Sequence, residues 1–163
     1  MKRGEIIIYP TESSYAIGCR YDDHASIEKI MKLKRRKDDR FTLVAASLQQ
    51  VKQHFSFSKE QEKLAKQYWP GALSIVVSDK YAVRVPGNSL ARDVAEHAGV
   101  PVLATSLNVS GQAPIYHLRD LPDQFKGIES IDIGMLPIQL PSTVVECVDS
   151  KIMIHRQGSV KLI

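Results

Sequence analysis

The stretch Glu5-Ile6-Ile7-Ile8-Tyr9-Pro10-Thr11-Glu12-Ser13-Ser14-Tyr15-Ala16-Ile17-Gly18 decides the class of fold. Its β-branched run over residues 5–9, stopped by Pro10-Thr11, predicts a central strand that enters a loop. That loop is rich in hydroxyls, and residues 15–20 predict a second short strand. Outward from here, strand-like and helix-like segments alternate along the chain. Ile27, Ile30 and Met31 fall at helical spacing within residues 26–36, and residues 41–46 predict a strand. Ser58-Lys59-Glu60-Gln61 has capping-box spacing and opens a predicted helix to Trp69, where Pro70-Gly71 stops it. Strands over 72–77 and 81–85, a helix over 90–98 ended by Gly99, and a buried strand over 102–105 follow. The last third predicts one short helix over 118–125 and strands near Ile131, Val144-Val145 and Ile152-Met153-Ile154. The expected class is mixed α/β, a single domain over residues 1–163 with one twisted sheet of parallel and antiparallel strands flanked by helices.

Composition narrows the functional classes. A chain of 163 residues, 44% hydrophobic and 25% charged, buries a core without disulfides or metals. Twenty-two Lys+Arg against 18 Asp+Glu give a net charge of +4, which permits an anionic ligand without requiring a nucleic acid. Aromatic content of 7% argues against a base-stacking platform. The apolar run over residues 6–9 is too short for a signal-peptide core or a membrane span, so a cytoplasmic location away from membranes is expected. Cys19 and Cys147 form no C-x-x-C pair, and both thiols are expected to be reduced and buried. The five histidines show no ligand spacing, so no protein-held metal is predicted. P-loop, dinucleotide-binding, H-E-x-x-H and nucleophile-elbow motifs are absent.

Four segments remain that can carry chemistry. Lys34-Arg35-Arg36-Lys37 reads first as a solvated helix end, where cations meet the helix dipole. However, Lys34 continues the Ile27, Ile30, Met31 stripe, so it must snorkel or meet an anion, and Arg36 can reach the same anion. Ala104-Thr105-Ser106-Leu107-Asn108-Val109-Ser110-Gly111 is an ordinary turn by composition, yet it follows a buried strand, where α/β proteins build binding sites. The hydroxyl-rich loop after residue 9 is the third. Arg84, alternating with Val83 and Val85, is the fourth; period two alone does not say which face is wet.

Together these segments resemble the YrdC-like family of threonylcarbamoyl-adenylate synthases. The resemblance rests on Tyr9 to Gly18, Lys34/Arg36, Trp69 to Ser74, Arg84 to Pro86, Thr105 to Gly111, Ser142 to Val145 and Arg156 to Gly158, in that order over nearly the whole chain. It implies ATP-dependent condensation of L-threonine with bicarbonate or CO2, giving threonylcarbamoyl-AMP and pyrophosphate. The product would pass to a downstream threonylcarbamoyl-transferase complex that modifies adenosine 37 of certain tRNAs. By the same resemblance Lys34, Arg36, Ser106 and Asn108 match the phosphate-binding and catalytic tetrad. Thr11, Arg84 and Ser142 match positions facing threonine, and Ser74 and Arg156 match positions associated with the nucleotide. Mg2+ would accompany the triphosphate, coordinated mostly by phosphate and water. The helical stripe that Lys34 continues predicts that its side chain points into the nucleotide site.

Some positions depart from the pattern. The chain starts almost at its first strand, without a leading helix, and no second C-terminal domain is expected. Lys37-Asp38-Asp39-Arg40-Phe41-Thr42-Leu43 lacks the usual prolines and resembles the YciO-like branch, an alternative in which the chain is an RNA- or nucleotide-binding module without synthase activity. Weak RNA binding through a basic surface belongs to that alternative. Carbamoyl transfer in hydrogenase maturation is a further rival, opposed by the lack of acylphosphatase and zinc-finger segments. Leu107 replaces a small residue and is expected to crowd the 106–108 loop.

Overall fold

The computed structural model describes residues 1–149 and 151–162. The mixed α/β class holds, but the strands divide over two sheets instead of one. The first sheet is built around β1 (Ile7–Pro10) and β2 (Tyr15–Gly18), the antiparallel pair of the opening motif. α1 (His24–Lys34), β3 (Phe41–Val44), α2 (Leu48–His54) and α3 (Lys59–Tyr68) follow. Next come β4 (Leu73–Val76), β5 (Tyr81–Arg84), α4 (Ser89–Ala98), β6 (Val102–Leu103) and β7 (Thr105–Ser106). β8 (Glu129–Ser130), β9 (Thr143–Val148) and β10 (Lys151–Arg156) complete the strands. The first sheet runs β7-β2-β1-β8 and the second β10-β9-β4-β5-β3-β6.

The strand expected over 102–105 serves both sheets. Val102 and Leu103 pair with β3, whereas Thr105 and Ser106 pair with β2. Ala104, between them, donates its N–H to Thr42 O at 2.9 Å. This crossing draws β2 so close that a Cβ on Gly18 would lie 1.9 Å from Leu103 O. Tyr9, wholly buried in the other strand of the motif, donates its hydroxyl to the same carbonyl at 2.7 Å. The motif's tyrosine and glycine thus serve one contact between the sheets.

Two helices follow their local signals closely. The Ser58 capping box forms, with Ser58 and Gln61 exchanging side-chain and backbone bonds, and Gly99 ends α4 in the left-handed conformation. The expected helix over 118–125 is instead two short 3-10 turns, Leu118–Asp120 and Asp123–Phe125. Pro122 separates them, because it lacks an N–H and forces the preceding Leu121 to be extended. α2 lies in a segment for which no helix was expected. Its buried face carries Gln50, whose side chain accepts from Ala46 N at 2.8 Å and donates to Ala95 O at 3.0 Å. A helix anchored by a carboxamide leaves only a faint apolar stripe.

Cys19 is buried as expected, while Cys147 is only half-buried on β9. The inner faces of both sheets share a core of Ile8, Ile17, Leu43, Val83 and Leu103, all wholly buried. Leu107 belongs to this core and is fully buried there, so its side chain anchors the 106–108 loop from beneath instead of crowding it. Its N–H donates to Tyr15 O at 2.9 Å, tying the loop to β2.

Gly18→Ala should lower stability by about 1–3 kcal/mol, because the new methyl can be admitted only by moving the Leu103 backbone. Urea unfolding with unchanged m-value is the check. Wild-type stability in this variant would show that the sheets separate freely at the crossing.

Candidate functional site

An open cavity of about 690 Å³ lies over one face of the second sheet, roofed by the β1–β2 loop and the segment around β7. Of the nine residues singled out in the sequence, six line it: Thr11, Arg36, Arg84, Ser106, Ser142 and Arg156. Lys34, Ser74 and Asn108 do not line it, yet each is one hydrogen bond behind a residue that does.

Lys34 is the last residue of α1 and is only 2% exposed. Its ammonium is turned onto the 106–108 loop, not into the open cavity. It donates to Ser106 O, to Asn108 O at 2.8 Å and to Asn108 Oδ1 at 2.9 Å. Ser106 Oγ donates to the same Oδ1 at 2.7 Å, and Ser110 N donates to the Lys34 carbonyl at 2.9 Å. Burial first, and then the Arg36 charge, bring the Lys34 ammonium down to about 8.

Arg36 reaches the cavity because Arg35 caps α1 in the left-handed conformation (φ 52°) and turns the chain. The Arg36 guanidinium lies 4.6 Å over the Phe41 ring. It donates to Asp38 O at 2.6 Å, to Arg40 O, and to Thr105 Oγ1 at 3.3 Å. A looser ion pair joins it to Asp38 Oδ2 at 3.8 Å, and its hydrogen-bond acceptors are neutral oxygens that an anion can replace.

Two further arginines face the cavity from the sheet. Arg156 donates to Ser142 O and Ser142 Oγ, both at 3.0 Å, and Ser142 Oγ lies 2.9 Å from Ser74 Oγ. Burial, and next repulsion from Arg84, lower the Arg156 guanidinium. Gly158, the last glycine of the sequence pattern, lets this segment lie against the Pro141–Thr143 backbone, where a Cβ would meet Pro141 O at 2.1 Å. Arg84 is 4% exposed, and its Nε has no hydrogen-bond partner. The nearest countercharge is Glu12 Oε2 at 3.4 Å, itself without a hydrogen bond, while Glu12 Oε1 accepts from Gly87 N at 2.9 Å. Glu12 was assigned no role from the sequence. Its place within the hydroxyl loop was visible, but its pairing with a strand 72 residues away was not.

Thr11 is buried within its own loop and donates its hydroxyl to Ser14 O at 2.8 Å. Residues on the far wall were also missed: Glu146 and His155 line the cavity from β9 and β10, with His155 Nε2 2.6 Å from Glu146 Oε2. The resulting site gathers three guanidinium groups and several hydroxyls, with the carboxylates of Asp38, Asp79 and Glu146 at its margins, an arrangement suited to a polyanion bound beside a small polar molecule.

Comparison with known proteins gives the same neighbourhood. The family model Sua5_yciO_yrdC, described as telomere recombination, matches residues 1–158. The chain is 28% identical to a threonylcarbamoyl-AMP synthase of Bacillus subtilis, over 98% of its own length and 51% of the relative's. It is 30% identical to a Vibrio vulnificus protein of the same name, over 76% of each. Among solved structures, P. abyssi Sua5 complexed with L-threonine aligns with TM-score 0.84 at 29% identity, covering 95% of this chain and 51% of that one. E. coli YciO aligns with TM-score 0.81 at 27% identity, over 95% and 84%. The chain therefore spans about half the length of the Bacillus and P. abyssi proteins.

Glu12→Leu should strand the buried Arg84 charge and cost stability near the low end of about 3–5 kcal/mol, whereas Glu12→Gln keeps the Gly87 bond and costs less. Equal denaturation midpoints for the two variants would contradict that pairing. Lys34 supplies a pH test. Its ammonium is lowered relative to an unfolded lysine, so its contribution to stability is unfavourable below about 8 and is relieved as pH rises beyond it. Deprotonation also removes one of the donors serving the loop. The NMR amide shifts of Ser106 and Asn108 should therefore titrate near 8 without global unfolding, and flat shifts from pH 7 to 9 would refute the arrangement.

Proposed function

Since the chain belongs to the Sua5/YciO/YrdC family, we propose that it is a threonylcarbamoyl-AMP synthase taking ATP, L-threonine and bicarbonate as substrates. The observation that carries this reading is the placement of three arginines, Arg36, Arg84 and Arg156, with the hydroxyls of Ser106 and Ser142, around one cavity. The reaction joins two anions. The threonine amine and bicarbonate form a carbamate with loss of water. A carbamate oxygen then attacks the α-phosphorus, and the bond from that phosphorus to the oxygen of pyrophosphate breaks. Fixed cations lower the repulsion between carbamate and phosphate, and neutral donors hold them in line without trapping the pyrophosphate.

In this reading Arg36 exchanges its carbonyl partners for phosphate oxygens, and Ser106 meets the same phosphates. Lys34 and Asn108 act from behind, holding Ser106 in place, while Lys34 adds positive charge to the phosphate end. Arg84, steadied by Glu12, faces the carboxylate or carbamate of the amino acid, with Thr11 and Ser142 beside it. Ser74 supports Ser142, and Arg156 bridges toward the nucleotide. Among the described residues no cluster of three carboxylate, imidazole or thiol groups could hold a metal ion. Mg2+ would arrive on the triphosphate, bound by phosphate and water. No helix among the described residues is long and apolar enough to cross a membrane. A cytoplasmic setting, in which the product is handed to a threonylcarbamoyl-transferase complex, fits this chemistry. A second reading is favoured by the likeness to E. coli YciO over 84% of that chain, together with Phe41-Thr42-Leu43: nucleotide binding without synthesis.

Incubation with ATP, threonine, bicarbonate and Mg2+ should yield threonylcarbamoyl-AMP by mass spectrometry, with threonine-dependent pyrophosphate release. ATP binding without either product selects the YciO-like reading. Threonine should bind more tightly than valine, because a site that pairs a hydroxyl leaves polar groups unmatched when the hydroxyl is missing; equal affinities would remove Thr11 and Ser142 from the amino-acid site. Asn108→Ala removes an acceptor shared by Lys34 and Ser106 without removing a cavity-lining group. It should therefore lower kcat more than ATP affinity, and the reverse pattern would assign Asn108 to direct phosphate binding.

A further inference from the structure

β10 is the outermost strand of the second sheet, and among the described residues its free side meets no other backbone. The remaining sheet edges, β6, β7 and β8, are strands of two residues each. Edges that short give an incoming strand little to pair with, whereas β10 presents six residues, all exposed. Its middle is Ile152-Met153-Ile154, 45%, 51% and 50% exposed. An apolar edge of this length, left bare, invites strand addition.

The two faces of β10 follow from its pairing with β9. Lys151 lies opposite Val148 and Met153 opposite Glu146, on the face turned to the cavity. Ile152 lies opposite Cys147 and Ile154 opposite Val145, on the face that packs against α3. Val145 is wholly buried there, and Ile152 and Ile154 continue the same apolar face into solvent. His155 is the bulged residue between Ile154 and Arg156, and it too lines the cavity, with Nε2 2.6 Å from Glu146 Oε2. These faces restrict how a second copy can pair. A two-fold axis relating two antiparallel edge strands stands perpendicular to the sheet, so residues that meet must lie on the same face and the axis must pass through a residue. Centred on Met153, it sets Met153 against itself, Ile152 against Ile154, and Lys151 against His155. Centred on Ile152, it would push Ile154 beyond the partner's strand. Centred on Ile154, it would set Ile152 against Arg156, which is committed to Ser142.

We infer that β10 is a self-pairing edge: two copies of this chain join strand to strand, antiparallel about Met153, and their second sheets become one. The pairing is self-complementary in chemistry as well as in register. Isoleucines of the two copies cover one another beneath the sheet, where each alone faces water. Lys151, which has no ion pair among the described residues, stands beside the other copy's Glu146–His155 pair, where a carboxylate can receive it. Main-chain hydrogen bonds along the new strand pair supply the remaining affinity. An interface of this length buries roughly 1,000 Å² in total, the small end of specific interfaces, so a reversible dimer with micromolar dissociation is expected. The inference does not rest on the nucleotide reading, and it adds a lysine from the second copy to the margin of each cavity.

The test is sedimentation velocity of the whole chain over a concentration series through the micromolar range, where wild type should show a monomer–dimer equilibrium. Met153→Lys sets two ammonium groups against each other on the axis and should weaken dimerisation by about tenfold or more. Because Met153 is half-exposed, the variant should keep the wild-type circular dichroism spectrum. Lys151→Glu places a carboxylate beside the other copy's Glu146 and should weaken the dimer less. Cross-linking reads the register without relying on those variants. In a Cys147→Ser background, Met153→Cys should give a disulfide-linked dimer on mild oxidation, because that residue meets its own copy, and Ile154→Cys should not. A wild type that stays monomeric at every concentration leaves the edge to some other partner and overturns the inference. So does a dimer that survives Met153→Lys, or one that cross-links through Ile154→Cys in preference to Met153→Cys.

Discussion

The ammonium of Lys34, sealed at the end of α1, is the constraint on which the site depends. A buried cation must be met by acceptors or lose its proton, and the acceptors here belong to the backbone and side chain of the 106–108 loop. The loop in turn gains a single conformation from a donor it could not supply itself. Leu107 is inserted into the core on one side of this contact, and Ser106 is presented to the cavity on the other. Because Ser110 N also closes on the Lys34 carbonyl, helix and loop behave as one unit. The charge expected to meet a ligand directly thus acts first on the protein.

The other cations are held by different means, and the differences set what each can do. Arg36 is hydrogen-bonded to carbonyls and a hydroxyl and lies over the Phe41 ring, with the Asp38 carboxylate only loosely paired at 3.8 Å, so its charge stays open to an incoming anion. Arg84 is deeply buried and countered only loosely by Glu12. Arg156 leans on Ser142 and, through it, on Ser74. Arginine is suited to all three places, since its charge survives burial and its planar fork serves carbonyl, hydroxyl and phosphate alike. Gathering like charges around one cavity is unfavourable without a ligand, and a polyanion relieves it.

The two-sheet arrangement makes this gathering possible. Ser106 on β7 and Thr11 just after β1 belong to the first sheet's side, while Arg84 on β5, Arg156 on β10 and Ser142 just before β9 belong to the second's. The chain passes between sheets at Ala104, where the Leu103 carbonyl accepts the Tyr9 hydroxyl and presses against Gly18. Residues far apart in the chain thereby form opposite walls of a single cavity.

Much of this was legible in the amino-acid order. Apolar periodicity disclosed most strands, the stripe through Ile27, Ile30 and Lys34 disclosed a lysine on a buried face, and Ser58 and Gly99 marked helix ends, because these depend on neighbours in the chain. Local chemistry failed where a distant partner decides the outcome. α2 is stabilised by Gln50 reaching α4, and Leu107 is accommodated by a core assembled from both sheets. Which face of β5 carries Arg84 into the cavity, and that Glu12 stands behind it, followed only from strand pairing. The sequence by itself determined which residues bear charge and hydroxyls and which segments are strands or helices. Tertiary structure alone decided which of those groups face the cavity and which brace from behind, since that depends on register and crossing between elements, and neither is encoded in local spacing.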